Sequence, residues 1–281
     1  MSGPLFSVMI PTYNRPGLLR LAVNSVLRQS VTDFECIVVD DAGPTPVEPV
    51  SDGRVRVVRH ASNRGGPAAM NTGLREARGR YVAFLDDDDL YTADRLALAL
   101  EGLASAPIAI CLRRGSDGTS GGNRLLNGLV HDHILDGLTP NTGQVAVDRS
   151  IAPTFDERFI AGYDVEWFLR LTEHYPVRTT TQVGLVYRVH DGIRHGNGAE
   201  TRVWASRLLL QKHAQYFRRH PRAAAFRWKR IGLLSAGPPY DPPAPRAFVR
   251  SLRIRPEVRT AWHLARSLRP SGRTKEALGD G

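Results

Sequence analysis

The chain has 281 residues, of which 42% are hydrophobic, and a formal net charge of +10. This length suits one large α/β domain or a domain with a small appendage, and no stretch approaches the roughly 20 apolar residues of a membrane span. The N-terminal residues lack a basic region and an apolar core of the secretory type, which predicts a cytoplasmic protein. Cys36 and Cys111 lie in apolar runs and are expected to be reduced core residues.

Residues 1–112 alternate between strand-like and helix-like patterns. Short apolar runs predict strands, and apolar residues at helical spacing predict helices. The predicted strands are 6–10, 35–40, 55–59, 81–85 and 108–112, and the predicted helices are 16–28, 67–77 and 92–103. This alternation favours a parallel-dominated sheet covered by helices.

The rest of the chain has fewer regular patterns. Residues 115–122 are rich in Gly, Ser and Thr and predict a loop. Further expectations are a strand at 144–148, a helix at 164–174, an extended segment at 177–189, a long helix at 199–220 and a break at 237–245.

Four consecutive aspartates, Asp86–Asp89, follow the strand predicted at 81–85. Their mutual repulsion is costly unless a cation neutralises them, and hard carboxylate oxygens suit Mg²⁺ or Mn²⁺. The alternative is a solvated acidic turn, with Asp94 as a nearby helix-start residue. The cation site gains weight because ligands gather at the carboxyl ends of strands in open α/β sheets.

Three other strand–helix junctions carry polar residues: VMIPTYNRP at 8–16, IVVDDAG at 37–43 and NRGGPAAMN at 63–71. Backbone N–H groups at such junctions favour an anionic or polar ligand. Each segment alone is common in ordinary turns. Their order within one α/β unit makes the set informative.

These segments resemble glycosyltransferase family 2, an inverting family with the GT-A fold. The resemblance is carried by SVMIPTYNRP, IVVDDAG, NRGGPAAMNTGL and GRYVAFLDDDDLYTADRL, densely over residues 6–105 and loosely over 150–190. It implies an α/β GT-A (Rossmann-like) mixed sheet flanked by helices. The expected domain is 1–198, with a nucleotide-sugar-binding half at 1–112 and an acceptor and catalytic half at 113–198.

The resemblance also implies a donor site. Pro11, Thr12 and Tyr13 are expected to line the nucleotide pocket. Asp40 is expected to accept hydrogen bonds from a pyrimidine, which favours UDP or dTDP. Arg64 is expected to approach the base or the phosphates.

For the acidic run, the resemblance implies a divalent metal, Mn²⁺ or Mg²⁺, that bridges the donor phosphates. Asp86 and Asp88 match the outer members of the family's Asp-x-Asp motif, with Asp88 as the expected direct ligand. Asp87 is expected on the ribose or sugar side.

Asp164 aligns with the family's general base. The family often has Gly-Glu-Asp at this point, whereas this chain has Gly162-Tyr163-Asp164. The alternative is that Asp164 only caps the helix predicted at 164–174.

A Tyr-Arg-x-His segment at 187–190 also resembles the family. It implies that His190 contacts the diphosphate or the metal, and that Arg188 and Arg194 neutralise phosphate charge. Residues 193–198 are glycine-rich, which fits either a flap over the donor or a plain surface loop.

Basic charge is concentrated at the C-terminus. Residues 201–281 hold 18 Lys and Arg against 4 Asp and Glu, which predicts a basic, mostly helical extension at 199–281. Three interpretations stay open: peripheral contact with anionic lipid at the inner face of a membrane, nucleic acid, which is disfavoured, and a solvated arginine-rich face.

The sequence therefore predicts a metal-dependent inverting glycosyltransferase with a nucleoside-diphosphate sugar as donor. The acceptor would be a hydroxyl of a saccharide, a lipid-linked sugar or a natural product. The alternatives are a sugar-phosphate nucleotidyltransferase and an inactive GT-A-like protein that binds nucleotide or nucleic acid. A nucleotidyltransferase would be expected to carry a Gly-rich phosphate loop with a basic residue after the first strand, where this chain has Pro11-Thr12-Tyr13-Asn14.

Overall fold

The computed structural model describes residues 3–119, 123–137, 139–188, 198–235 and 243–268. The chain forms two compact units, Met1–Asn197 and Gly198–Gly281.

The described part of the first unit contains one sheet of nine strands. They are β1 (Phe6–Thr12), β2 (Phe34–Asp40), β3 (Val55–Arg59), β4 (Tyr81–Phe84), β5 (Leu90–Tyr91), β6 (Ile108–Gly115), β7 (Asn127–Gly128), β8 (Val145–Asp148) and β9 (Val177–Tyr187). The α-helices are α1 (Pro16–Leu27), α2 (Gly66–Glu76), α3 (Arg95–Leu103) and α4 (Tyr163–Leu171). Short 3₁₀ turns lie at His131–Asp136, Thr142–Gln144 and Arg149–Ile151.

The strand order is β3-β2-β1-β4-β8-β6-β9-β5, with β7 also paired to β9. Strands β1 to β4 pair in parallel, but β8 runs antiparallel to both β4 and β6. Strands β5 and β7 are antiparallel to β9. The mixed sheet of the GT-A fold is therefore confirmed. The expectation of a parallel-dominated sheet holds fully only for the first half: in the second half β6 and β9 pair in parallel, but β8, β5 and β7 are antiparallel to their partners. The direction of a short apolar strand such as β8 depends on its long-range partners.

Helix α1 shows why the first half packs as predicted. Its buried side chains are Leu19, Ala22, Val23 and Val26, which repeat at the helical spacing of three and four residues. They pack into the same core as Phe6, Val8 and Ile10 of β1. Both thiols are buried and unpaired, as expected.

The carboxyl ends of β1, β2 and β4 meet at one edge of the sheet. Thr12 at the end of β1 is in register with Asp40 at the end of β2. The turns after these two strands contain Asn14 and Ala42 at positive φ, 53° and 62°. Because β4 runs parallel to β1, the acidic run that follows β4 lies at this same edge.

The described part of the second unit is helical. Its helices are α5 (Ala199–Lys212), α6 (Ala214–Arg219), α7 (Pro221–Leu234), α8 (Ala244–Ile254) and α9 (Val258–Ser267). The single helix expected over 199–220 is wrong, because the chain leaves helical geometry at His213 (φ −107°, ψ 37°). Val203, Ile231 and Ala247 form the small core of this unit. Within the described ranges, no helix has both the length and the apolar character to cross a membrane.

Candidate active site

Three carboxylates of the acidic run converge. Asp86, Asp88 and Asp89 each place an oxygen within 4.8 Å of the others. Asp88 and Asp89 are only 5% and 1% exposed. This burial excludes the alternative of a solvated acidic turn. All the donor atoms are hard carboxylate oxygens, which fits Mg²⁺ or Mn²⁺. Asp89 was not among the predicted ligands, although its place in the run was a sufficient signal.

Asp86 is strongly perturbed by its surroundings. Burial raises its pKa well above the ordinary value for aspartate, and the charges of Asp89, Asp88, Asp87 and Asp164 raise it further. A bound cation would oppose these effects by favouring the charged carboxylate. Because the charge of Asp164 contributes to the raised pKa of Asp86, Asp164 lies near enough to the cluster to influence it electrostatically.

Arg15 joins the acidic run to the end of β1. Its Nη1 donates to Oδ1 of Asp87 at 3.0 Å and to Oδ2 of Asp88 at 3.1 Å. The hydroxyl of Thr12 donates to Oδ2 of Asp87 at 2.7 Å. Burial raises the pKa of Asp87, while Thr12 and Arg15 lower it. Arg15 was not assigned by the sequence analysis, though it lies in the PTYNRP motif.

Arg188 holds the backbone of the acidic run. Its Nε donates to the carbonyl oxygen of Asp88 at 2.7 Å, and its Nη2 donates to that of Asp87 at 3.2 Å. Its backbone N–H donates to Oδ1 of Asp89 at 3.1 Å. The guanidinium therefore positions the turn through backbone carbonyls, in addition to any role toward phosphate. His190, Arg194 and most of the expected flap lie outside the described residues.

The carboxylate of Asp40 faces the loop that follows β2. It accepts hydrogen bonds from the backbone N–H groups of Gly43 (3.0 Å) and Val47 (3.2 Å), and it is paired with Arg59. Asp40 is 1% exposed. Asp40 therefore holds the loop that follows β2 in place, next to Thr12 at the end of β1.

Asp41 organises the start of α2. Its two oxygens accept from the backbone N–H groups of Arg64 (2.9 Å) and Gly65 (2.7 Å). Nδ1 of His60 lies 2.7 Å from Asp41, and its Nε2 lies 2.8 Å from the hydroxyl of Thr72. This buried chain of polar groups sets the backbone of the segment that carries Arg64.

The side chain of Arg64 itself is partly exposed. Its Nη2 lies 3.3 Å from Oε2 of Glu157, and the two side chains are 45% and 42% exposed. The opposite oxygen of Glu157 accepts from the amide of Asn71 at 2.9 Å. Arg64 therefore lies at the surface just before α2, paired with Glu157.

Helix α4 begins beside the cluster. Gly162 is its N-cap residue, in the left-handed region at φ 67°, and Tyr163 is the first helical residue. Asp164 is therefore inside the first turn and not the cap, which corrects the capping alternative. A carboxylate in the first turn is stabilised by the helix dipole.

Tyr163 also lies against this site. Burial raises the pKa of its hydroxyl well above the ordinary value, and the charges of Asp86, Asp164 and Asp88 raise it further. A Cβ placed on Gly66 would lie 3.4 Å from that hydroxyl. The phenol therefore lies between the start of α2 and the acidic cluster, where the family often has a glutamate.

The glycosyl transferase family 2 model matches residues 7–160, which is more than half of the chain. TuaG of Bacillus subtilis, a protein named for a role in teichuronic acid biosynthesis, is 40% identical over 104 residues. The Escherichia coli UDP-Glc:alpha-D-GlcNAc-diphosphoundecaprenol beta-1,3-glucosyltransferase WfgD is 33% identical over 104 residues. These matches cover 35% and 36% of this chain and only 41% of each relative.

Solved structures match over most of the chain. S. aureus TarS 1-349 aligns with a TM-score of 0.67 at 17% identity, over 92% of this chain and 83% of that one. The mannosyltransferase PcManGT from Pyrobaculum calidifontis, in complex with GDP-Man and Mn²⁺, aligns with a TM-score of 0.59 at 20% identity, over 94% and 79%. At these identities the likeness shows the fold. The family match and this likeness together show that the chain belongs to glycosyl transferase family 2 and has the GT-A fold.

Proposed function

We propose that this chain transfers a sugar from a nucleoside-diphosphate sugar to a hydroxyl acceptor, with inversion at the anomeric carbon and with a divalent metal. UDP or dTDP is the favoured nucleotide. One observation carries the proposal: the carboxylates of Asp86, Asp88 and Asp89 converge after β4, and Asp164 lies in the first turn of α4, where its charge helps to raise the pKa of Asp86. A base and a cation site in one place are what this transfer needs.

Asp164 is the proposed general base. The acceptor hydroxyl approaches the anomeric carbon opposite the leaving group, and the Asp164 carboxylate takes its proton. A bond forms from the acceptor oxygen to the anomeric carbon as the bond from that carbon to the phosphate oxygen breaks. Attack from the opposite face inverts the anomeric centre.

Asp86, Asp88 and Asp89 are the proposed metal-binding residues. The ion would offset the negative charge that develops on the departing diphosphate. The family neighbour that was solved with GDP-Man and Mn²⁺ supports this assignment. The choice between Mn²⁺ and Mg²⁺ is left to the binding experiment below.

For the donor, we propose that Pro11, Thr12 and Tyr13 line the nucleotide pocket. Asp87 is proposed on the sugar side, where Thr12 and Arg15 orient it. Asp40 is proposed to act on the pyrimidine of the donor by shaping the loop after β2. Its carboxylate already accepts hydrogen bonds from three donors, Gly43, Val47 and Arg59.

Arg64 is proposed to contact the donor by leaving Glu157, since both side chains are partly exposed. His190 is proposed as a diphosphate or metal contact on the family resemblance alone.

For the acceptor, we propose a hydroxyl of a saccharide, a lipid-linked sugar or a natural product. WfgD carries a lipid-linked acceptor in its name, which makes a lipid-linked sugar the first class to assay.

The base assignment is tested with Asp164→Asn. The amide cannot accept the acceptor proton, so we expect transfer to fall by roughly 10²–10⁴-fold while donor binding persists. Product formation and donor affinity, measured separately, check this result. Glu173→Gln, an exposed acid just beyond the same helix, is the matched control and should transfer normally. Near-normal turnover by Asp164→Asn would remove Asp164 from the role.

The metal and nucleotide are tested by thermal shift. We expect nucleoside diphosphates and their sugars to raise the melting temperature more with Mn²⁺ or Mg²⁺ than with EDTA, because ligands that bind only the native state stabilise it. Asp88→Asn should remove the metal-dependent part of the shift, and Asp94→Asn, an exposed residue outside the cluster, should retain it. A shift that is equal with metal and with EDTA would contradict the metal site.

A further inference from the structure

Helix α9 presents an apolar stripe to solvent. Val258, Trp262 and Leu268 are 88%, 52% and 64% exposed, and Ala261 and Ala265 are exposed between them. The steps of three and four residues place these side chains on one side of the helix. We call these five residues the α9 stripe.

The opposite side of α9 packs inward and carries Thr260, His263 and the half-buried Leu264. Thr260 is fully buried. His263 stacks on Phe248 of α8 with ring centroids 5.7 Å apart. Most of the apolar side chains of α9 therefore face away from α8, on a side that is available to a partner.

Helix α8 shows the usual arrangement of an amphipathic helix a few residues earlier. Its apolar Ala247 and Phe248 are buried, and Phe248 packs so close to Gly232 of α7 that a Cβ there would lie 2.6 Å from the ring. Its exposed side carries arginines, among them Arg246 and Arg250. The outward apolar side is therefore a property of α9 and not of the whole extension.

The surface around the stripe is cationic. Residues 243–268 contain six arginines and one acid, Glu257. That acid is held within the unit, since Lys229 donates to it at 2.9 Å and Thr260 at 2.6 Å. Arg259 and Arg266 are exposed and seven residues apart, which places them along one edge of the stripe.

Trp262 lies at the centre of this surface. The guanidinium of Arg266 lies over its indole ring at 4.7 Å. Tryptophan with neighbouring arginine suits the boundary between lipid headgroups and acyl chains, where the ring is half-buried and the cation reaches phosphate.

We propose that the α9 stripe docks on a lipid bilayer that contains anionic headgroups, with α9 lying in the plane of the interface. The stripe enters the headgroup–acyl boundary, and Arg259 and Arg266 face the lipid phosphates. The charge of the face selects anionic lipid over a neutral surface. This surface goes beyond the proposed transfer reaction and does not depend on it.

The test is co-sedimentation of the full chain with phosphatidylcholine vesicles, with and without phosphatidylglycerol. We expect binding at low salt to the anionic vesicles only, weakened as salt is raised. Trp262→Ala should weaken that binding by roughly tenfold, and Arg259→Gln with Arg266→Gln should do the same. Trp204→Ala is the matched control, because Trp204 is 44% exposed on α5, and it should bind like the unaltered chain.

Circular dichroism identifies any variant that misfolds. Failure to bind anionic vesicles at low salt would overturn the proposal, and so would equal binding by Trp262→Ala. A concentration-dependent dimer that Trp262→Ala converts to a monomer would overturn it in favour of a self-interface. Tighter binding to a short DNA duplex than to vesicles, unaffected by Trp262→Ala, would overturn it in favour of nucleic acid.

Discussion

Adjacent aspartates in the 86–89 run have different partners. Asp87 and Asp88 share Arg15, and Asp88 also belongs with Asp86 and Asp89 to the group whose carboxylate oxygens converge. The side chains of Arg15, Asp87 and Asp88 are 17%, 7% and 7% exposed, so solvent screens these pairs weakly. Arg15 thus partly neutralises the run from one side, and a divalent cation would do so from the other.

This arrangement predicts a metal-dependent effect of Arg15→Met. Without metal, removal of the guanidinium leaves the negative charges of Asp87 and Asp88 without the nearby positive charge of Arg15. We expect the free energy of unfolding in EDTA to fall by about 1–3 kcal/mol. With Mn²⁺ the loss should be smaller, because the ion neutralises the same carboxylates. Chemical denaturation in both conditions measures it.

Arg20→Met is the control for that experiment. Arg20 is exposed on α1, which begins directly after Arg15, so this substitution should change the free energy of unfolding little. An equal loss for Arg15→Met with EDTA and with Mn²⁺ would contradict the shared role of Arg15 and the metal.

At the scale of elements, the connection from α2 to β4 passes against the start of β1 at Gly79. The backbones approach so closely there that a side chain at position 79 has no space. A Cβ on Gly79 would lie 2.5 Å from the backbone nitrogen of Ser7 and 2.6 Å from the carbonyl carbon of Phe6. The N–H of Gly79 donates to the hydroxyl of Ser7 at 2.8 Å. This contact aligns β4 with β1, and β4 in turn delivers the acidic run to the site.

We therefore expect Gly79→Ala to destabilise the first unit by about 1–3 kcal/mol, because backbone atoms cannot move aside as a flexible side chain can. Thermal or urea unfolding measures the loss. Gly17→Ala is the matched control: nothing lies within 4 Å of its Cβ position in α1, and the same substitution should be neutral or stabilising by about 0.5–1 kcal/mol. Equal stabilities of the two variants would show that the close β1 contact has no energetic weight.

At the scale of the whole molecule, the carboxylate cluster, Arg15 and Asp164 all belong to the unit Met1–Asn197. The basic helices form the other unit, with a core of its own around Val203, Ile231 and Ala247. The donor chemistry and the basic surface are thus carried by separate compact parts of the chain.

This separation predicts that a fragment of residues 1–198 keeps metal-dependent nucleotide binding. We expect its thermal shift with nucleoside diphosphate and Mn²⁺ to match that of the full chain, because every proposed donor residue lies within it. The same fragment should lose vesicle binding. A folded fragment that binds no nucleotide would contradict the proposed division at 198.

The sequence by itself determined the alternation of strands and helices in residues 1–112, the acidic run after β4 and the family. These are local patterns: apolar spacing sets which face of an element is buried, and short motifs follow individual strands. The bounds of β3 and the start of α1 follow directly from such patterns.

Only the tertiary structure decided which distant residues contact each other and which strands pair. The hydrogen bond from Thr12 to Asp87 joins residues 75 positions apart, and the antiparallel placement of β8 depends on its fit between β4 and β6. The outward side of α9 likewise follows from what α8 leaves uncovered, because periodicity shows that a helix has two faces but not which of them its neighbours cover. Long-range packing of this kind has no local sequence signal, which is why the pairing of Arg15 with Asp87 and Asp88 and the outward side of α9 emerged only from the folded chain.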